Sequence, residues 1–113
     1  MGKYDHVFQP LTIRGKTLRN RIEFSPMVPN LASAGGDTTD ALVEYIAAQA
    51  RTGAAYVTIG DCQIEYATGA SFLGELNVEK PESVTGLYRL AEAAHENGAL
   101  LSIELSHAGA GAN

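Results

Sequence analysis

The chain has 113 residues, 45% hydrophobic and 19% charged, which excludes a disordered polypeptide and suits a globular one. Its net charge of −5 is uneven, because residues 1–21 set Lys3, Arg14, Lys16, Arg19 and Arg21 against Asp5 alone, a local +4 that leaves −9 for the remainder. An acidic body carries no basic stripe for nucleic acid, and the basic start is interleaved with Val7, Phe8, Leu11, Ile13 and Leu18, as in a solvated hairpin rather than an RNA or membrane arm. The one cysteine, Cys62, has no internal disulfide partner, so nothing points to an oxidising compartment. No apolar h-region opens the chain, position 6 is His rather than the Ser or Thr of a myristoylation signal, and no apolar run approaches the roughly 20 residues of a membrane span. A cytoplasmic location is expected, with neither nucleic acid nor membrane as partner.

In chain order, residues of about 10–20 read as a small hairpin. Leu11-Thr-Ile-Arg and Thr17-Leu-Arg-Asn flank Gly15-Lys16, a two-residue loop that suits a type II′ turn. Arg21-Ile-Glu-Phe-Ser-Pro follows as a short strand, halted at Pro26 because proline cannot donate to a ladder. Residues 27–38 form a long loop. Asp37-Thr-Thr-Asp offers N-cap oxygens to a helix whose Leu42, Val43, Ile46, Ala47 and Ala50 recur at helical spacing, and Gly53 stands where a left-handed C′ residue is expected. Ala54–Ile59 is an apolar strand buried on both faces, ended by Gly60 and Asp61. After a second long loop, 61–82, Ser83 caps a helix carrying Val84, Leu87, Leu90, Ala91 and Ala94, with Gly98 at its end. Leu100–Leu105 is the third strand, and His107 begins a tail of small residues.

Strands alternating with helices imply α/β architecture with parallel pairing through right-handed crossovers. Three parallel strands would leave both sheet edges unpaired. The loops after strands one and two are long, whereas helix passes into strand through a single Gly-Ala step. Long loops gathered at the carboxyl ends of strands are the pattern of a TIM (β/α)8 barrel, whose active site lies there. Residues 1–113 therefore read as an incomplete N-terminal segment, about three β/α units preceded by a hairpin cap.

Three stretches resemble a known family. Phe8-Gln-Pro-Leu-Thr-Ile, Thr17-Leu-Arg-Asn-Arg-Ile and Ser25-Pro26-Met27 look like the opening "LFxPLxI…LKNRIxxxPM" of Old Yellow Enzyme-type NADH:flavin oxidoreductases. The match continues through Tyr45, Ala48 and Gly53–Gly60 to Ile103-Glu-Leu-Ser-His-Ala-Gly, the counterpart of that family's "xQLxHxGR". "AAYVTIGD" is most similar to the branch of 2,4-dienoyl-CoA reductase and bile-acid-modifying reductases. The resemblance implies an FMN-binding barrel that takes hydride from NADH or NADPH and reduces an activated C=C bond of a small unsaturated substrate.

It also implies site residues. Ser25, Pro26 and Met27 would lie along the isoalloxazine, the proline stiffening the edge and the methionine giving a polarizable surface. Gly60 would let the flavin approach the backbone, and Asp61 is either an acid near the pyrimidine edge or a turn residue. Glu104 departs from the family's Gln, because a carboxylate accepts from flavin N3–H but donates to O2 only when protonated. Either it meets the flavin, or an Arg from another segment, or its pKa rises so that it donates; a buried structural ion pair is the other reading. His107 would shape the loop beneath the flavin, and Ala110 stands where the family has Arg. No catalytic residue is assigned.

No metal site is expected, since His6, His95 and His107 lack ligand spacing. An iron–sulfur cluster or an FAD domain, where the family has them, would lie beyond Asn113. Cys62 reads as a free thiol in a loop rather than a redox thiol. The remaining barrel strands would come from the same gene or a second chain, and a homo-oligomer is open. The competing expectation is a non-catalytic fragment or self-associating half-barrel without flavin. A flavin barrel acting on a dihydropyrimidine is opposed by the "LxNRI…SPM" opening.

Overall fold

The computed structural model describes residues 2–113. A one-turn helix, α1 (Asp5–Phe8), precedes the antiparallel hairpin of β1 (Leu11–Ile13) and β2 (Lys16–Leu18). The turn falls one residue earlier than expected. Ile13 pairs with Lys16, so Arg14 and Gly15 are the central residues, with φ of 47° and 79°. Positive φ at both positions is type I′, not II′, and matches the strand twist. The Thr12 and Thr17 hydroxyls meet at 3.1 Å across the pair.

The sheet that follows is parallel. It comprises β3 (Glu23–Met27), β4 (Tyr56–Gln63) and β6 (Leu100–Ser106), linked by α2 (Asp40–Arg51) and α4 (Ser83–Glu96). β4 is central, pairing with β3 on one edge and β6 on the other. The loop between β4 and α4 is not structureless: it holds a one-turn helix, α3 (Tyr66–Gly69), and a short strand, β5 (Leu76–Asn77). β5 takes the edge of β4 that β3 has left, pairing Leu76 with Cys62 and Asn77 with Gln63.

Two strands run past the ends that local chemistry predicts. β3 does not halt at Pro26 but reaches Met27, and β4 is not ended by Gly60 and Asp61 but runs on to Gln63. In both cases the strand absorbs its difficult residues in a register shift, between Phe24 and Met27 in one and between Ile59 and Cys62 in the other.

The helix ends follow the expected chemistry with one exception. Thr39 caps α2, its hydroxyl accepting from the Leu42 amide at 3.1 Å. α4 has Glu82 at its N-cap and no side-chain cap; Ser83 falls inside the first turn, so its expected capping role is not realised. Gly53 and Gly98 hold the left-handed C′ positions at φ of 99° and 79°.

One face of the sheet is covered by the helices. Leu42, Ile46 and Ala50 of α2, with Leu90 and Ala94 of α4, pack on Val57, Ile59 and Cys62 of β4. The hairpin linker closes the amino-terminal end. Arg19 Nη2 donates to the carbonyls of Ala50 and Ala54, each at 2.8 Å, and Asn20 Nδ2 donates to Gly53 O at 2.7 Å. Arg19 and Asn20 thus clamp the turn from α2 into β4, giving a structural reason for the Arg-Asn-Arg motif.

Candidate functional site

The carboxyl ends of β3, β4 and β6 lie together, and the six expected site residues all fall there. Between the pairs Phe24–Val57 and Met27–Ile59, β3 spends Ser25 and Pro26 where β4 spends only Thr58. Between Ile59–Ile103 and Cys62–Leu105, β4 spends Gly60 and Asp61 where β6 spends only Glu104. The two bulges therefore flank the row Met27–Ile59–Ile103 at successive levels, and a bulge re-aims the side chains around it. Ser25, Pro26, Met27 and Glu104 are exposed, Met27 by 68%, while Asp61 is half-buried at a left-handed φ of 52°.

Gly60 has a packing reason to lack a side chain. A β-carbon there would stand 2.6–2.8 Å from the N, C and O atoms of Met27. The space at Gly60 is filled by the bulged β3 backbone.

Cys62 lies beyond the bulge, inside the core rather than in a loop as expected. Burial pushes its thiol up to about 12, with the Asp61, Glu104 and Glu75 carboxylates adding to the shift. Such a thiol stays protonated and unreactive at neutral pH.

Beside it, Gln63 and Glu75 are 0% and 1% exposed. Gln63 Nε2 donates to Glu75 Oε2 at 2.7 Å, and the Ser71 and Phe72 amides donate to the same carboxylate at 3.2 Å each. This pair, missed in the sequence because it sat in a presumed loop, anchors the segment after α3. The loops after β3 and β4 are laced together above it: Gly74 N donates to Asn30 Oδ1 at 2.9 Å, and Asn77 N to Gly36 O at 2.9 Å. Lys80 pairs with Asp37 and holds that carboxyl below its ordinary range.

His107 ties the end of β6 to α3. Its Nδ1 accepts from Gly109 N at 3.0 Å, which places the proton on Nε2, 3.1 Å from Glu65 Oε2. The Thr68 hydroxyl and then His107 lower the Glu65 pKa. Among the described residues no three His, Cys, Asp or Glu side chains form a metal-binding group, and no helix is long and apolar enough to cross a membrane.

Residues 6–113 match the model of the NADH:flavin oxidoreductase / NADH oxidase family. The chain belongs to that family. It is 31% identical over 109 residues to the NADH oxidase of Thermoanaerobacter brockii, covering 96% of this chain and 17% of that protein. It is 33% identical over 111 residues to the 4,4'-dithiodibutanoate disulfide reductase of Rhodococcus erythropolis, covering 95% of this chain and 26% of that one.

Solved structures agree on the fold. The family member aligns with 2-naphthoyl-CoA reductase in its 2-naphthoyl-CoA complex at a TM-score of 0.91 and 22% identity, over 97% of this chain and 17% of the other. With the Old Yellow Enzyme of Pichia sp. AKU4542 the TM-score is 0.85 at 20% identity, over 95% and 28%. The architecture is the N-terminal portion of an Old Yellow Enzyme-type TIM barrel, as the alternation of strands, helices and long loops implied.

Proposed function

We propose that these residues form the first bed of a non-covalently bound FMN in an NAD(P)H-dependent oxidoreductase that reduces activated C=C bonds. The observation that carries the proposal is the pair of bulges at successive levels of β3 and β4, which leave Pro26 and Met27 exposed on one edge strand and the Glu104 carboxylate exposed on the other. A flavin ring needs both an apolar face to lie on and an acceptor for its N3–H. Met27 and Pro26 supply the first, and Glu104 the second, so the residues fit the group. When bound, FMN would supply the hydride chemistry, taking hydride from NADH or NADPH and passing it on.

This chain's own contribution is to bind and orient. Ser25 and the bulged backbone of β3 border the ring edge, Gly60 lets that backbone sit close to β4, and Asp61 adds negative charge beside Glu104. Gln63 and Glu75 hold the Ser71–Phe72 segment beside that rim. The substrate site and the remaining barrel strands would come from other segments of the polypeptide or a second chain. The free outer edges of β3 and β6, and the exposed Val84 and Tyr88 on α4, support such a completion.

The test is an FMN titration of the purified protein followed by flavin fluorescence, with Met27→Asp and Glu104→Ala variants. Both substitutions are expected to weaken binding at least several-fold. Binding that both variants leave untouched would move the flavin away from these residues.

A further inference from the structure

The sheet face turned away from the helices carries a carboxylate deep below the bulges. Thr58 Oγ1 donates to Glu23 Oε1 at 2.9 Å and lies 2.5 Å from the Ser102 hydroxyl. Val57, Ile59, Leu101 and Ile103, of opposite parity, face the helical core, so Glu23, Thr58 and Ser102 lie on the other side. Glu104, two residues beyond Ser102, lies on that side too. The Glu23 carboxylate also bears on Tyr56, opposite it in the register, and raises the phenol's pKa by hydrogen bonding.

No cation answers these acids. Among the described residues neither Glu23 nor Glu104 enters an ion pair, whereas Arg51, Lys80 and Arg89 are paired with Glu44, Asp37 and Asp40. Arg19 is committed to backbone carbonyls. Lys16 lines a cleft of about 290 Å³ with Tyr56 and Ser102 but makes no ion pair with Glu23.

In a closed barrel this face becomes the interior. A carboxylate buried there without a cation is strongly unfavourable, and one paired with a cation is strongly dependent on its partner. We propose that the strands completing the barrel present a lysine or arginine to Glu23, so that this face accepts a basic strand segment. A second copy of this chain is a poor occupant, since it carries a net charge of −5 and would set like charges together. The inference rests on the barrel completion proposed above and adds the chemistry of what completes it.

The experiment is thermal unfolding of Glu23→Gln, measured on this chain and on the complete barrel purified with its remaining strands. In the complete barrel the substitution orphans the opposing cation and lowers Tm by about 5–10 °C. In this chain alone, where Glu23 is exposed, Tm stays within about 2 °C of wild type. An unchanged or raised Tm in the complete barrel overturns the proposal, because then no cation faced Glu23. A Lys16→Ala variant that lowers Tm equally and non-additively with Glu23→Gln overturns it as well, by assigning the cation to the hairpin. Failure of the completion itself has a different signature: a single species of 11.9 kDa and no larger assembly.

Discussion

At Gly60 a single methyl group decides whether β3 and β4 keep their bulged contact. Gly60→Ala puts a β-carbon within 2.6–2.8 Å of the Met27 backbone, and backbone cannot rotate aside as a side chain can. The expected loss is about 1–3 kcal/mol of stability, read as a lower urea midpoint, and an unchanged midpoint would show that β3 is free to shift. Glu104 is exposed, so Glu104→Gln should leave that midpoint where it is. The amide adds a donor toward flavin O2, and FMN affinity should rise roughly fivefold, about 1 kcal/mol. Affinity that falls instead would mean the negative charge itself is used.

Cys62 gives a prediction in pH. Its folded pKa of about 12 lies above the ordinary 9.0, so the folded state holds the proton more tightly than the unfolded state does. The stabilisation is complete below about pH 9 and is lost as pH rises from there toward 12. Iodoacetamide should label the native thiol very slowly at pH 8 and rapidly in urea. Fast labelling of the native protein would contradict its burial.

Among the elements, the clamp at the amino-terminal end is the most exposed to test. Arg19→Ala removes the donors to Ala50 and Ala54 and should cost about 1–3 kcal/mol, while Arg19→Lys should recover only part, because an ammonium cannot reproduce the guanidinium fork. A fully rescued lysine variant would reduce the clamp to simple charge.

Helix α2 was legible because apolar spacing, the Thr39 cap and Gly53 are local signals, and the same holds for α4 apart from its cap. The bulges were not legible as bulges. Pro26 and Gly60-Asp61 look like strand terminators until a neighbouring strand fixes the register, and register is a property of pairs. Gln63 and Glu75 stayed hidden for a related reason: two polar residues 12 apart become a buried pair only once β5 adds to β4. All six candidate site residues came from family resemblance, and five of them lie in the two bulges or opposite the second, Met27 being the paired residue between. Chemistry near the site was therefore easier to locate than the backbone irregularity that arranges it.

For the molecule as a whole, the sheet is proposed as the opening part of a flavin barrel rather than a closed one. The helices cover one face of β3, β4 and β6, while the other face and both outer edges stand open. The acidic residues on the open face set the chemistry that a completing segment must answer. Denaturing liquid chromatography with intact-mass detection, reading polypeptide and released small molecules together, tests this most directly. Released FMN is expected together with a protein mass well above 11.9 kDa or a second polypeptide. A single species of 11.9 kDa with no flavin would contradict it and leave a barrel segment without its own cofactor.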